Sequence, residues 1–231
     1  MRILLTGCTG GYGQAIADVA TQRGHSILGL ARDHDKLSAM QASGLLERQL
    51  SCDLSVSNRD NPALIAAIHD FNPQVIINNA GVGSKGNTIA KERPAALTTA
   101  FHVNVLAPFE LVQIASEPSG QDLRLVVNIS SRRGSFYDNA RDETAVKCSY
   151  TYRITKGAQN MLTACMATDP LLAGVRVLSI HPGKLTTGLG VSDASLDPRL
   201  SAERLLQMFE QLPAEGDYFS LQDHTPRRMN W

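Results

Sequence analysis

Cysteine is sparse and never clustered in this sequence. Cys8, Cys52, Cys148 and Cys165 form no C-x-x-C pair, which argues against a structural zinc or a disulfide scaffold and points to reduced thiols. The six histidines are scattered with no metal-ligand spacing, so no metal site is expected. Neither sign of charge dominates: 22 Lys plus Arg balance 22 Asp plus Glu, and the bulk field favours neither nucleic acid nor an acidic membrane. Long hydrophobic runs are also missing. The first apolar stretch, Ile3-Leu4-Leu5, ends at Gly7, too short for a signal-peptide core, and no segment approaches a membrane span. These absences lead us to expect a soluble, cytoplasmic chain without nucleic-acid or membrane partners. No repeat, low-complexity tract or linker divides it, and 43% hydrophobic residues suffice for one buried core. A single domain over residues 1–231 is expected.

What is present is alternation. Short apolar runs at Ile3 to Thr6, Ser26 to Leu30, Glu47 to Cys52, Val75 to Asn78, Arg124 to Ile129 and Val175 to Ile180 are separated by stretches of helical periodicity. That is the pattern of stacked βαβ units and a doubly wound parallel sheet with helices on both faces. Asn61-Pro62 marks a helix start. A second helix is expected to begin near Ser149, with Ile154, Ala158, Met161, Leu162 and Cys165 as its core-facing stripe. Gly81 to Glu92 and Ser131 to Cys148 break the rhythm just after strands, where open α/β sheets place ligands. Leu185 to Leu200 lacks periodicity and is read as a candidate lid; Ser201 to Leu212 either packs on the sheet or helps close the site.

The first strand runs into Thr6-Gly7-Cys8-Thr9-Gly10-Gly11-Tyr12-Gly13 and then a helix. Glycines let the backbone turn tightly and approach a pyrophosphate, whose charge the helix N-terminus attracts. The spacing lacks the lysine of a nucleoside triphosphatase loop, so a dinucleotide fits better than ATP. At the tip of the second strand stand Ala31 and Arg32 rather than an acid, which favours NADP(H), with its 2′-phosphate, over NAD(H); the neighbouring Asp33 is the counterweight.

Tyr152 and Lys156 lie four residues apart, one turn of helix, where a cation lowers the pKa of a phenol and makes it a usable acid. Ser131 ends the Val126 to Ile129 strand, placed to hydrogen-bond a reacting carbonyl. Asn104 is a polar residue within an apolar helical stretch and must find partners there.

With Asn78-Asn79-Ala80-Gly81 and Pro182-Gly183, these motifs occur in an order that resembles the short-chain dehydrogenase/reductase family over essentially the whole chain. A finer resemblance, through Ile129 to Ser135, Tyr152-Arg153 and Trp231, is to its C-factor and sniffer-like branch. The resemblance implies one Rossmann-type domain with a seven-stranded parallel sheet and a tetrad of Asn104, Ser131, Tyr152 and Lys156. It also implies that Asp53 and Leu54 flank the adenine, that Asn79, Ala80 and Gly81 line the adenosine side, and that Lys156 holds the nicotinamide ribose. Pro182, Gly183, Leu185 and Thr187 are implied at the nicotinamide end. The implied activity is NADP(H)-dependent reduction of an aldehyde, ketone or quinone, or oxidation of the alcohol. Tyr152 would be general acid/base, and Asn104 would hold a relay water. The alternative is an NADP-binding signalling protein with little turnover. A homodimer or homotetramer through the helices carrying Asn104 and Tyr152 is implied as well. The chain departs from the family pattern at Tyr12, at Thr155 before the lysine, and in a longer Tyr137 to Lys147 stretch that bears on the substrate mouth.

Overall fold

A computed structural model describes residues 1–117, 122–141, 148–187, 194–212 and 217–231. Five strands, β1 (Arg2–Thr6), β2 (Ser26–Ala31), β4 (Val75–Asn78), β5 (Leu125–Ile129) and β6 (Arg176–His181), are buried along nearly all their length. Helices cover both faces of their sheet, so no alternation with polar residues is needed. β3 (Arg48–Ser51) forms one edge and is correspondingly polar.

The spatial order is β3-β2-β1-β4-β5-β6-β7-β8, parallel through β7 (Tyr218–Ser220). β8 (Arg227–Arg228) turns back and pairs antiparallel with β7. In place of the expected seven-stranded parallel sheet, the described residues form eight strands. Two charged residues give no apolar run to betray a strand, and their pairing shields the β7 edge. The chain builds outward from β1 to β3, then crosses to place β4 on the other side of β1. This reversal opens a crevice at the carboxyl ends of β1 and β4.

Side chains alternate across the strands and feed two cores. On one face, α1 (Gly11–Gln22), α2 (His34–Ala42) and α8 (Pro198–Glu210) cover Ile3, Leu5, Val127 and Ile180. On the other, α3 (Pro62–Phe71), α5 (Ala107–Ser116) and α7 (Tyr150–Ala167) cover Leu4, Ile76, Val126 and Val177. Asn61 caps α3 and Ser149 caps α7, both at the expected starts, and the single-turn α6 (Phe136–Asn139) lies between β5 and α7. Leu205 of α8 is fully buried, so this helix packs on the sheet. Residues 188–193 of the candidate lid lie outside the described residues; on either side of them, Leu185 and Leu196 form a β-bridge.

Two expectations fail. α4 (Pro94–Phe101) passes through a π-helical turn, His102–Leu106, into α5, and this 23-residue run is long and apolar enough by composition to cross a membrane. Nearly half of it is buried and Asn104 is hydrogen-bonded at its middle, as in a core helix. The apolar stripe of α7 meets the core only in part: Leu162 packs on the second core and Ala158 is half-buried. Ile154, Met161 and Cys165 are exposed, while Thr151, Thr155, Lys156, Gln159, Asn160 and Thr163 are buried. Periodicity locates a stripe but not the surface it meets, and β5 and β6 offer α7 polar side chains.

Candidate active site

The glycine loop sits at the β1/β4 crevice. Gly7 has φ +64°, and a Cβ there would lie 2.9 Å from the Ala80 Cα. A Cβ on Gly13 would lie 2.2 Å from the Gly7 carbonyl oxygen, so no side chain is tolerated without opening the loop. The Asn79 side chain donates to the Thr6 and Gly7 carbonyls at 3.0 and 3.1 Å, and Thr6 Oγ1 accepts from the Asn79 and Ala80 amides. The loop and the Asn79-Ala80-Gly81 turn are thus one unit. Helices α2, α3, α7 and α8 have their first amides capped by Asp33, Asn61, Ser149 and Asp197, whereas α1 has Gly10 at its N-cap and no side-chain cap. Open amides, a helix dipole and a side-chain-free approach past Thr9, Gly10 and Gly11 fit the pyrophosphate of a dinucleotide. Tyr12 serves differently: its ring is buried and its hydroxyl donates to Ser201 Oγ of α8 at 2.9 Å, the Ser201 hydrogen being given to the Pro182 carbonyl.

Arg32 is exposed just beyond β2. Asp33 caps α2 through the Lys36 amide, and its carboxylate lies 3.2 Å from Lys36 Nζ, so its charge is directed away from Arg32. Hydrogen bonds from Ser55 hold the Asp53 carboxyl below its ordinary range, with a smaller contribution from Arg32. Leu54 beside it is buried.

Past β5, Ser131 hydrogen-bonds the Tyr152 side chain and accepts from the Arg133 amide. Burial pushes the Tyr152 phenol above its ordinary pKa, opposed by that hydrogen bond and reinforced by Cys148. Lys156 was expected to lower it. Instead the ammonium is drawn inward, 5.9 Å from the Tyr152 ring centre, donating to the Ile129 carbonyl at 2.6 Å and to Gln159 Oε1 at 2.8 Å. With two neutral acceptors it is pulled by burial down to about 7. Desolvation thus dominates at both groups, and the stable form of Tyr152 is the protonated one.

Asn104 accepts from the Val82 amide and donates to the Val82 carbonyl and Thr155 Oγ1, at 2.9, 2.8 and 2.8 Å. Both amide hydrogens are spent on protein, so a water held here would have to be held otherwise. Thr155, the departure before the lysine, is fully buried and is the residue that joins Asn104 to α7. Gly81 completes the cluster: a Cβ there would be 3.5 Å from Lys156 Nζ and 3.6 Å from Asn104 Oδ1. After β6, Pro182 accepts from Ser201, Leu185 is buried, and Gly183 links them. Thr187 lies against the glycine loop, its Cγ2 3.3 Å from a Cβ built on Gly11. The structure therefore places the nominated residues at the carboxyl edges of β1, β4, β5 and β6 and on the helices packed there, with Arg32 beyond β2 and Asp53 and Leu54 beyond β3.

Sequence reasoning missed the supports. Gln159 holds Lys156, and Tyr218 donates to the Ser131 carbonyl at 2.5 Å while stacking on Trp231. Asn78 donates to Asn128, which donates to Thr163; Ser130 and Ser179 both donate to Asn160. The signal was available as polar residues at every buried position of α7 except Met166, but it was masked by the apolar stripe.

Residues 1–195 match the short chain dehydrogenase family. The chain is 31% identical over 151 residues to C-signal of Myxococcus xanthus, covering 64% of this chain and 88% of that protein. Its fold is similar to that of carbonyl reductase Sniffer of D. melanogaster, with TM-score 0.80, 23% identity and 99% of both chains covered. It is also similar to a short-chain dehydrogenase/reductase from Burkholderia multivorans with bound NADP, with TM-score 0.77, 23% identity, and 100% and 99% of the two chains covered.

Proposed function

Because the chain belongs to the short-chain dehydrogenase family, an oxidoreductase family acting on small molecules, we propose that it is an NADP(H)-dependent carbonyl reductase or the corresponding alcohol dehydrogenase. The observation that carries this reading is the Tyr152 and Ser131 pair at the end of β5, with Lys156 and Asn104 tied in behind it. When bound, the nicotinamide supplies the hydride. Ser131 donates a hydrogen bond to the carbonyl oxygen, and Tyr152 delivers the proton that turns the forming alkoxide into an alcohol. Burial keeps that proton on Tyr152 at neutral pH. Lys156 sits at the edge of ionisation, able to face the ribose or stabilise the phenolate left by proton transfer. Exposed Arg32, with Asp33 turned to Lys36, supports the preference for the 2′-phosphate.

The test is oxidation of NADPH, and in parallel NADH, against a panel of aldehydes, ketones and quinones, for wild type and Tyr152→Phe, with cofactor affinity measured alongside. Turnover with NADPH that Tyr152→Phe removes supports the reading; tight NADPH binding without turnover in either protein overturns it. That second outcome favours a signalling protein, a reading supported by the similarity to C-signal. We further propose a homo-oligomer through α5 and α7, supported by exposed Phe109, Ile154 and Met161, and a cytoplasmic location, with which four free thiols agree.

A further inference from the structure

Beside the site lies a cavity of about 440 Å³, lined among others by Arg132, Arg141, Lys184 and Arg227, with Asp138 the one carboxylate among the described lining residues. Two of its lining residues adjoin site residues along the chain. Arg132 follows Ser131, Lys184 follows Gly183, and the Lys184 amide donates to Gln222, another lining residue, at 2.7 Å. A chain with no net charge has here gathered four cations around one opening.

A second observation points to a ligand. His181 lines the same cavity, is only 7% exposed, and its buried Nδ1 has no hydrogen-bond partner. Burial, together with Arg132, Arg133, Lys184 and Arg227, pulls its pKa to about 3, so the ring is neutral and its open nitrogen sits in a positive field. Nδ1 itself is closed off from the cavity, so what an anion would meet there is the positive field that this ring feels.

Resting on the reductase reading, we propose that this cavity takes an anionic group, a carboxylate or phosphate, borne by the carbonyl substrate. The cations come from three segments: Arg132 and Arg141 after β5, Lys184 after β6, and Arg227 in β8. They converge as the recognition of a planar or tetrahedral oxyanion requires. No cation has to be unpaired for this. Arg141 stacks over Tyr137 at 3.7 Å and donates to its carbonyl, and Arg227 lies 3.9 Å from Asp223, yet a guanidinium carries five donors and one contact leaves others. The anion anchors one end of the substrate beside Arg132, one residue from the Ser131 hydroxyl that receives the carbonyl, and so fixes which part of the molecule meets Tyr152.

Two measurements test this. The first compares kcat/KM for carbonyl substrates bearing a carboxylate or phosphate with uncharged analogues of the same skeleton. Charge-assisted hydrogen bonds predict a preference of at least about tenfold for the anion, and Arg227→Gln, or Arg141→Gln should that variant fail to fold, is expected to erase most of it. The second is calorimetric titration of succinate and of inorganic phosphate into wild type and Arg227→Gln, which needs no turnover. Binding weakened by the substitution supports the cavity even if no carbonyl compound is reduced, a result that would sink the reductase reading alone. Turnover without preference for the anion, or equal anion binding by both proteins, overturns the proposal.

Discussion

Around the glycine loop the site is built from backbone, whereas around α7 it is built from side chains. In the first region, Gly7, Gly13 and the amides of α1 leave a surface whose shape depends on side chains being missing. In the second, Asn104, Thr155, Gln159, Asn160 and Thr163 fill an interior that an apolar helix face would ordinarily occupy. The first region binds by letting a ligand come close. The second controls chemistry by deciding where protons and charges rest, at the risk that each buried polar group depends on its neighbours.

Substitutions can break each side separately. Gly13→Ala puts a methyl 2.2 Å from the Gly7 carbonyl, so the loop must open; NADPH titration is expected to show no saturable binding, and turnover is lost with it. Ser131→Ala leaves the cradle intact and should lower kcat by about 10²- to 10³-fold, the cost of one hydrogen-bond donor to a forming oxyanion, with NADPH affinity unchanged. Arg32→Glu, at the rim of the backbone region, should move the ratio of NADPH to NADH affinity toward NADH by about 10- to 100-fold, from loss of a charge-assisted pair. Parallel fluorescence titrations with the two cofactors check it.

How much of this was legible differs between the two regions as well. The glycine loop, Arg32 and the Asn79-Ala80-Gly81 turn could be read directly, because glycine and strand-end positions declare backbone geometry in one dimension. The tetrad could be nominated from Tyr152, Lys156, Ser131 and Asn104. Their supports could not, since Gln159 and Asn160 look like ordinary helix residues until β5 and β6 are placed opposite them. The stripe of Ile154, Met161 and Cys165 misled because a helix with one polar and one apolar face usually buries the apolar one. β8 escaped because pairing, not composition, makes it a strand.

The smaller effects probe the buried lysine. Lys156 falls from 10.5 in its ordinary state to about 7 in the fold, so between these values the unfolded chain binds more protons and stability rises with pH. Chemical unfolding at pH 7, 8 and 9 should show this rise in wild type and not in Lys156→Met. Gln159→Leu removes one acceptor of the ammonium, and the start of the rise should move to lower pH by about one unit, the worth of a hydrogen bond to a charged group. A curve unchanged from wild type would leave Gln159 a packing residue.

The central claim is that Tyr152 is the proton donor of a reductase whose cofactor cradle stands independently of it. Its most direct test is single-turnover reduction of a carbonyl substrate by NADPH-saturated wild type and Tyr152→Phe, with the dissociation constant for NADPH measured on both. The account predicts equal affinities and a hydride-transfer rate lower by about 10²- to 10⁴-fold in the variant. Equal rates in the two proteins would contradict it.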